Sequence, residues 1–338
     1  MPGDKKTIFS GIQPSQIPHI GNYIGAMRNW VSLQDEANCI YCVVDMHAIT
    51  VRQDPEFLRG RSRDMIALFV AIGLDPEKNI LYIQSHVPAH AQLSWILGCA
   101  TYMGELGRMT QYKEKSLKQN MNTNAGLFMY PVLMAADILL FQTDLVPVGD
   151  DQRQHLEITR DIAIRMNNIY GELFTVPEAY ITKTGARIMS LQDVGKKMSK
   201  SEDANMNNVI SLLDEPKVII GKIKKAVTDS EGSVRYSPDK PGVSNLLDIY
   251  SSVTGNTIAE AEKEFAGSGY GSFKRAVGEA VVGLLEPIQD RFRRIRNDSA
   301  YVDKIIGANA EKAGGLAEKT LTEVARRIGY VKSHREVR

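Results

Sequence analysis

Apolar residues recur along the first half of the chain in two alternating rhythms. Short continuous runs, Thr7 to Ser10, Cys39 to Val44, Ile80 to Ile83 and Leu145 to Val148, have the length and side-chain content of buried strands. Between them Ile24 to Leu33, Phe57 to Ile72, His90 to Leu97 and Tyr130 to Phe141 repeat apolar positions at helical spacing. Strand and helix in alternation predict an α/β fold, a parallel sheet with helices on both faces. Ligands of such sheets bind beyond the carboxyl ends of the strands.

After about Asn205 the strand-like runs stop and amphipathic helical segments take over. From Glu215 to Val227, Ile219, Ile223, Ala226 and Val227 share one face, while Lys217, Lys224 and Lys225 lie opposite. Further helices are expected from about Phe273 to Arg296 and from Leu316 to Ile328. Asp193 to Asn208, rich in Lys, Ser, Asp and Asn, reads as a polar loop joining the halves. The chain shows neither an internal repeat nor a low-complexity tract.

With 338 residues, 43% of them hydrophobic and 24% charged, the chain has room for roughly two domains of ~150 residues. That composition excludes disordered, collagenous and coiled-coil classes. Phe128 to Phe141, the longest apolar stretch, contains Pro131 and Asp137 and falls short of the ~18 residues of a membrane span. The N-terminal sequence has neither an apolar signal region nor an Arg- and Ser-rich leader, so the cytoplasm is the expected compartment. Three cysteines fit a reducing environment better than a disulfide framework. A net charge of +1 gives no general case for nucleic-acid binding, although a balanced total can hide one basic face.

Four segments could carry chemistry. The first strand runs into Ser10-Gly11-Ile12-Gln13-Pro14-Ser15 and then His19-Ile20-Gly21-Asn22, where a helix begins. A loop feeding a helix N-terminus is either a plain turn or an anion site, since free N–H groups and the positive dipole end point outward. Lys196-Lys197-Met198-Ser199-Lys200-Ser201 is either a solvated loop or a flexible segment whose ammonium and hydroxyl groups gather phosphate oxygens. Asp137 places one carboxylate in an apolar helix, on the same face as Tyr130, Leu133 and Met134. It must accept from something, either an internal cation or backbone donor or a substrate N–H or O–H. Gly149-Asp150-Asp151-Gln152 follows the fourth strand, where an aspartate can cap a helix, contact a ligand, or do both. Cys39 and Cys42, three apart on a strand, point to opposite faces and read as buried thiols, without a metal. The basic run from Arg108 to Lys118 fits either a solvated helix end or a mobile phosphate-contacting loop.

The His-Ile-Gly-Asn and Lys-Met-Ser-Lys-Ser segments, in that order and in strand-helix and loop contexts, resemble the twin signatures of the class I aminoacyl-tRNA synthetases. From Thr7 to about Gly329 the chain is similar to the bacterial-type tryptophanyl-tRNA synthetases. The most specific blocks are Ile8 to Ser15, Val44 to Thr50, Leu133 to Leu140, Val146 to His155 and Gly185 to Leu191. Tyrosyl-tRNA synthetases share the fold and both signatures, but Leu-Met-Ala-Ala-Asp-Ile-Leu-Leu and Pro-Val-Gly-Asp-Asp-Gln point to the tryptophan branch. Asn22 departs from the general signature, and His19 stands where tryptophanyl enzymes often have Thr.

This resemblance implies a doubly wound, Rossmann-like catalytic domain over residues 1–204, with a dimer-forming insertion at about 85–125 and the lysine-serine loop at 195–203. A helical anticodon-binding domain would span 205–295, and a C-terminal helix in 296–338 would pack back on the catalytic domain. It implies activation of L-tryptophan by ATP with Mg²⁺ and transfer to tRNA(Trp) by a homodimer. Asp137 would accept the indole N–H, Phe9, Met134, Val146 and Val148 would wall the ring, and Tyr130, His47 and Gln152 would surround the amino-acid head. Gln13, Pro14, Ser15, Gly21, Asn22, Gly149, Asp150, Asp151 and Ile188 match ATP contacts, joined by Lys197, Met198, Ser199, Lys200 and Ser201. Lys197, Ser199, Lys200, His19 and Lys115 would serve catalysis. The basic face from Lys217 to Lys225 and the Arg291 to Arg296 cluster are the candidates for tRNA contact. A tyrosine-specific enzyme and a catalytically silent relative are the competing readings.

Overall fold

A computed structural model describes residues 5–113, 123–149, 152–180, 187–199 and 206–331. The four apolar runs form β1 (Thr7–Ile12), β2 (Asn38–Val43), β3 (Ile80–Ile83) and β4 (Leu145–Pro147), all parallel. A fifth strand not predicted from the pattern, β5 (Glu178–Tyr180), pairs with β4 in the register Leu145↔Glu178. It is a three-residue, partly exposed edge strand, so no apolar run marks it in the sequence. The sheet order is β3-β2-β1-β4-β5. β1 thus has neighbours from opposite directions of winding, and the crevice of such a sheet opens where the carboxyl ends of β1 and β4 separate.

Both faces of the sheet are covered, which is why its strands read as continuous apolar runs. Across β2, Cys39, Tyr41 and Val43 enter one core layer while Ile40, Cys42 and Val44 enter the other. The two cysteines therefore lie on opposite sides, both buried as free thiols. On the first side Trp30 packs against Tyr41 at 4.7 Å and Phe69 at 5.8 Å; on the second, Phe141 packs against Phe9 and Tyr82, each at 5.8 Å. Such pairs add about 0.5–1.5 kcal/mol each beyond the area they bury.

The covering helices begin with α1, which runs from Ile20 to Leu33 with a π-helical turn at Tyr23–Met27. Next come α2 (Asp45–Ala48), α3 (Pro55–Ala71), α4 (Ala89–Cys99), α5 (Met103–Leu106), α6 (Ala125–Leu139) and α7 (Arg153–Tyr170). Local chemistry sets several starts. Asp54 accepts the Phe57 N–H with Pro55 in the first turn of α3, and Asn124 accepts the Leu127 N–H at the head of α6.

The second half contains α8 (Pro216–Lys224), α9 (Pro241–Thr254), α10 (Ile258–Glu264), α11 (Tyr270–Asn297) and α12 (Ser299–Ile328). Two expectations need correction. Val227 is 44% exposed rather than on the buried face of α8, because that helix stops at Lys224 and the helical spacing stops with it. On the same helix Lys222 is buried, its ammonium 2.6 Å from Asp214. α12 starts at Ser299, well before Leu316; its first half buries Val302, Ile305, Ile306 and Asn309 at helical spacing, a pattern the sequence reading passed over. Among them Asn309 accepts the Leu81 N–H of edge strand β3 at 3.1 Å, so the helix both covers and satisfies that edge.

One continuous core joins Ile8 and Tyr41 of the sheet region with Ile188, Met198 and Ile210, and then with Ile219, Leu246 and Phe273 of the helical half. The boundary expected near residue 204 falls outside the described residues.

Candidate active site

The crevice between β1 and β4 holds a cavity of about 330 Å³. Phe9 of β1, Val146 of β4 and Val148 just beyond it, Tyr130, Met134 and Asp137 from α6, His47 from α2, and Gln152 at the head of α7 all line it. These are the eight residues that the resemblance assigned to the amino acid. Gln13, from the loop after β1, also borders it, and so does Gln111, which the sequence did not single out. α6 supplies four of the lining groups because Tyr130, Met134, Asp137 and Ile138 recur at helical spacing on its inner side.

Asp137 is 1% exposed and has no Arg or Lys partner among the described residues. Its Oδ2 lies 2.8 Å from His47 Nε2. Oδ1 accepts from Gln84 Nε2 at 2.7 Å and lies 2.6 Å from His90 Nδ1. Gln84 Oε1 accepts the Met46 N–H, which fixes the amide with its NH₂ toward the carboxylate. Burial alone would raise the Asp137 pKa, yet the neighbouring His90 and His47 hold it below the ordinary aspartate value. The carboxylate therefore stays ionised although it is buried.

Tyr130 closes another side. Its hydroxyl lies 2.5 Å from His155 Nε2 and 3.3 Å from Gln111 Oε1, and burial pushes its pKa up, so it remains a neutral donor. Gln84, His90, Gln111 and His155 were all missed from the sequence.

Around the head of α1, His19 is buried and caps the helix. Its Nδ1 accepts the Asn22 N–H at 3.3 Å while Asn22 Oδ1 accepts the His19 N–H at 3.0 Å. Both side chains thus satisfy helix-terminal donors, a capping role that the sequence reading did not assign to them. Pro14 is buried and Ser15 half-buried in the loop between β1 and α1. A Cβ on Gly21 would lie 3.0 Å from the His19 ring and 3.4 Å from Ile188 Cβ, so the absent side chain lets the second motif's hairpin approach the first.

In that hairpin the Ser190 N–H bonds to Lys196 O and the Met198 N–H to Ile188 O. Ile188 and Met198 are buried, which leaves Lys197 exposed and Ser199 half-buried beside them. Asn245 of α9 clamps the turn from behind, its side chain bonding both the N–H of Met189 at 2.8 Å and its carbonyl at 3.0 Å. Gly149 is exposed at the end of β4, and its carbonyl accepts the Gln152 N–H. Gln152 itself holds the cap position of α7. Asp150, Asp151, Lys115, Lys200 and Ser201 lie outside the described residues.

A doubly wound sheet with a ligand cavity at its switch point, joined to a helix-start motif and a lysine-bearing hairpin packed on it, defines a class I aminoacyl-tRNA synthetase. The profile of the family described as tRNA synthetases class I (W and Y) matches residues 1–286. The chain is 57% identical over 331 residues to the tryptophan–tRNA ligase of Clostridium tetani, covering 98% of each. Its structure resembles that of tryptophanyl-tRNA synthetase from Mycoplasma pneumoniae, with a TM-score of 0.87, 36% identity and coverage of 99% of this chain and 100% of that one. The Campylobacter jejuni enzyme, solved with ADP and tryptophan, gives a TM-score of 0.84 at 35% identity over 96% and 99% of the two chains. The chain belongs to the class I tRNA synthetases of the tryptophan and tyrosine group, as a bacterial-type tryptophanyl-tRNA synthetase.

Proposed function

We propose that this protein activates L-tryptophan with ATP and charges tRNA(Trp). A substrate carboxylate oxygen attacks the α-phosphorus, the bond to the β-phosphate oxygen breaks, and pyrophosphate leaves with tryptophanyl-adenylate remaining. A terminal ribose hydroxyl of the tRNA then attacks the carbonyl carbon and AMP departs. Since the substrate supplies both nucleophiles, the protein's work is positioning and charge stabilisation. The observation that carries this reading is one ionised, buried carboxylate, Asp137, in a cavity with an apolar wall of Phe9, Met134, Val146 and Val148. It suits a flat apolar ring that bears a single polar hydrogen.

In this mechanism Asp137 accepts the indole N–H, and Tyr130, His47 and Gln152 face the amino-acid head. The backbone around Gln13 to Ser15, Gly21, Asn22 and Gly149 to Asp151 holds the nucleotide, with His19 keeping the α1 terminus in shape. Lys197 and Lys200, with Ser199, Ser201 and the basic-loop Lys115, gather the phosphates as charge moves to the leaving pyrophosphate. Mg²⁺ enters with ATP as part of that substrate.

Purified protein is expected to catalyse ATP–pyrophosphate exchange with tryptophan and not with tyrosine or phenylalanine. Exchange preferring tyrosine would give Asp137 a phenol instead. Its absence with every amino acid, in folded protein that binds ATP, would favour a silent relative.

Within the expected insertion Trp95 and Met103 are each 71% exposed, beside Tyr102. Apolar side chains this open fit burial by a second copy of the chain. Trp95→Glu should turn a dimer into a monomer in sedimentation equilibrium; a wild-type monomer at micromolar concentration would rule the dimer out. None of the described helices is long and apolar enough to cross a membrane, and the cytoplasm, where charged tRNA is consumed, is the proposed location.

A further inference from the structure

We propose that His90, braced by Tyr82, is a positioning residue that aims Asp137 and so sets the preference for a substrate bearing a ring N–H. The inference rests on the reading of the cavity as a tryptophan site.

A carboxylate offers about four acceptor directions. Gln84 Nε2 and His90 Nδ1 both close on Oδ1, at 2.7 and 2.6 Å, and His47 Nε2 takes one side of Oδ2 at 2.8 Å. Among the described residues these groups crowd Oδ1 and leave an acceptor direction on Oδ2, in a residue that lines the cavity. Of the three partners, His47 lines the cavity, whereas Gln84 and His90 are fully buried and absent from its lining. His90 Nδ1 stands 2.6 Å from Oδ1 and its ring lies outside the cavity lining, so it reaches the substrate only through Asp137.

The ring cannot turn away, because its other nitrogen is held. Tyr82 Oη lies 2.9 Å from His90 Nε2, and the two rings stack with centroids 5.8 Å apart. A hydroxyl can donate to a neutral imidazole or accept from a charged one, so Tyr82 holds His90 in either state. Phe141 packs against both rings, at 5.8 and 5.9 Å. β3 fixes Tyr82, α4 fixes His90 and α6 fixes Asp137, so three elements of the core converge on one acceptor direction. A site built around a hydrogen bond discriminates through the geometry of that bond, and a carboxylate free to rotate would lose part of it.

The test compares tryptophan with the analogue whose ring N–H is replaced by sulfur, benzothienylalanine, in ATP–pyrophosphate exchange. Asparagine carries its amide nitrogen near the position of Nδ1, whereas glutamine reaches the position of Nε2. His90→Gln should therefore cut the ratio of kcat/KM values for the two substrates by about tenfold, with the KM for ATP unchanged, and His90→Asn should restore most of it. Tyr82→Phe should give a smaller fall in the same direction. Equal ratios in His90→Gln, His90→Asn and wild type would overturn the positioning role, even if all rates dropped through a structural effect. A wild-type enzyme that used both substrates equally would overturn the indole reading itself, and with it the proposal.

Discussion

Asp137→Ala is expected to raise the tryptophan KM by about 5- to 150-fold, the range that 1–3 kcal/mol of lost hydrogen bonding to a buried partner implies, while the KM for ATP stays nearly unchanged. The asymmetry follows from where the carboxylate sits. It faces the cavity among apolar residues, whereas the candidate nucleotide contacts cluster at the head of α1 and on the hairpin from Ile188 to Met198. Removing it leaves the indole N–H without its carboxylate acceptor. His47, Gln84 and His90 lose their common acceptor as well, so a fall in melting temperature should accompany the change. Asp137→Asn keeps one acceptor oxygen but turns an NH₂ group toward donors, and should lie between alanine and wild type. Steady-state exchange with each substrate varied in turn checks this. Equal increases in both KM values would remove Asp137 from the role.

Much of this arrangement is legible in the residue order. Buried strands in a parallel sheet write themselves as unbroken apolar runs, and the four such runs are β1 to β4 in order. Asp137 stands out because a lone carboxylate in Leu-Met-Ala-Ala-Asp-Ile-Leu-Leu has no local explanation. What stayed hidden depends on contacts between distant segments. Gln84 and His90 look like an ordinary turn and helix start, and only the fold brings them 53 and 47 positions back in sequence onto Asp137. A signal did exist: Gln84-Ser85-His86 directly follows β3, at the carboxyl end of a parallel strand where ligand groups gather. Asn245 gave no such hint, since a polar residue inside α9 reads as solvated until Met189 is seen against it. β5 was invisible for a different reason, since a short, partly exposed edge strand buries little apolar surface of its own, whereas the first half of α12 did carry a signal in Val302, Ile305 and Ile306.

For the lysines of the second motif, the larger effect should fall on rate rather than affinity. Lys197 sits exposed on a hairpin whose flanking Ile188 and Met198 are buried and whose turn is clamped by Asn245, so its attachment is rigid while its ammonium reaches solvent. Such a group meets ground-state triphosphate weakly and gains most when negative charge moves onto departing pyrophosphate. Lys197→Ala and Lys200→Ala are each expected to lower the rate of adenylate formation by about 10²- to 10³-fold, the usual effect of deleting one donor to developing charge, with the affinity for ATP changed far less. Lys196 provides the internal control. It is also exposed on the same hairpin, but its ammonium pairs with Asp193 at 3.0 Å, so Lys196→Ala should leave the rate within about twofold, as for other exposed ion pairs. Single-turnover formation of tryptophanyl-adenylate, measured beside ATP binding, separates the two quantities. An unchanged rate with weaker ATP binding in Lys197→Ala would mean that the lysine contributes uniformly to ground and transition states. Equal losses in the Lys196 and Lys197 variants would trace the effect to the hairpin's total charge instead of to one directed contact.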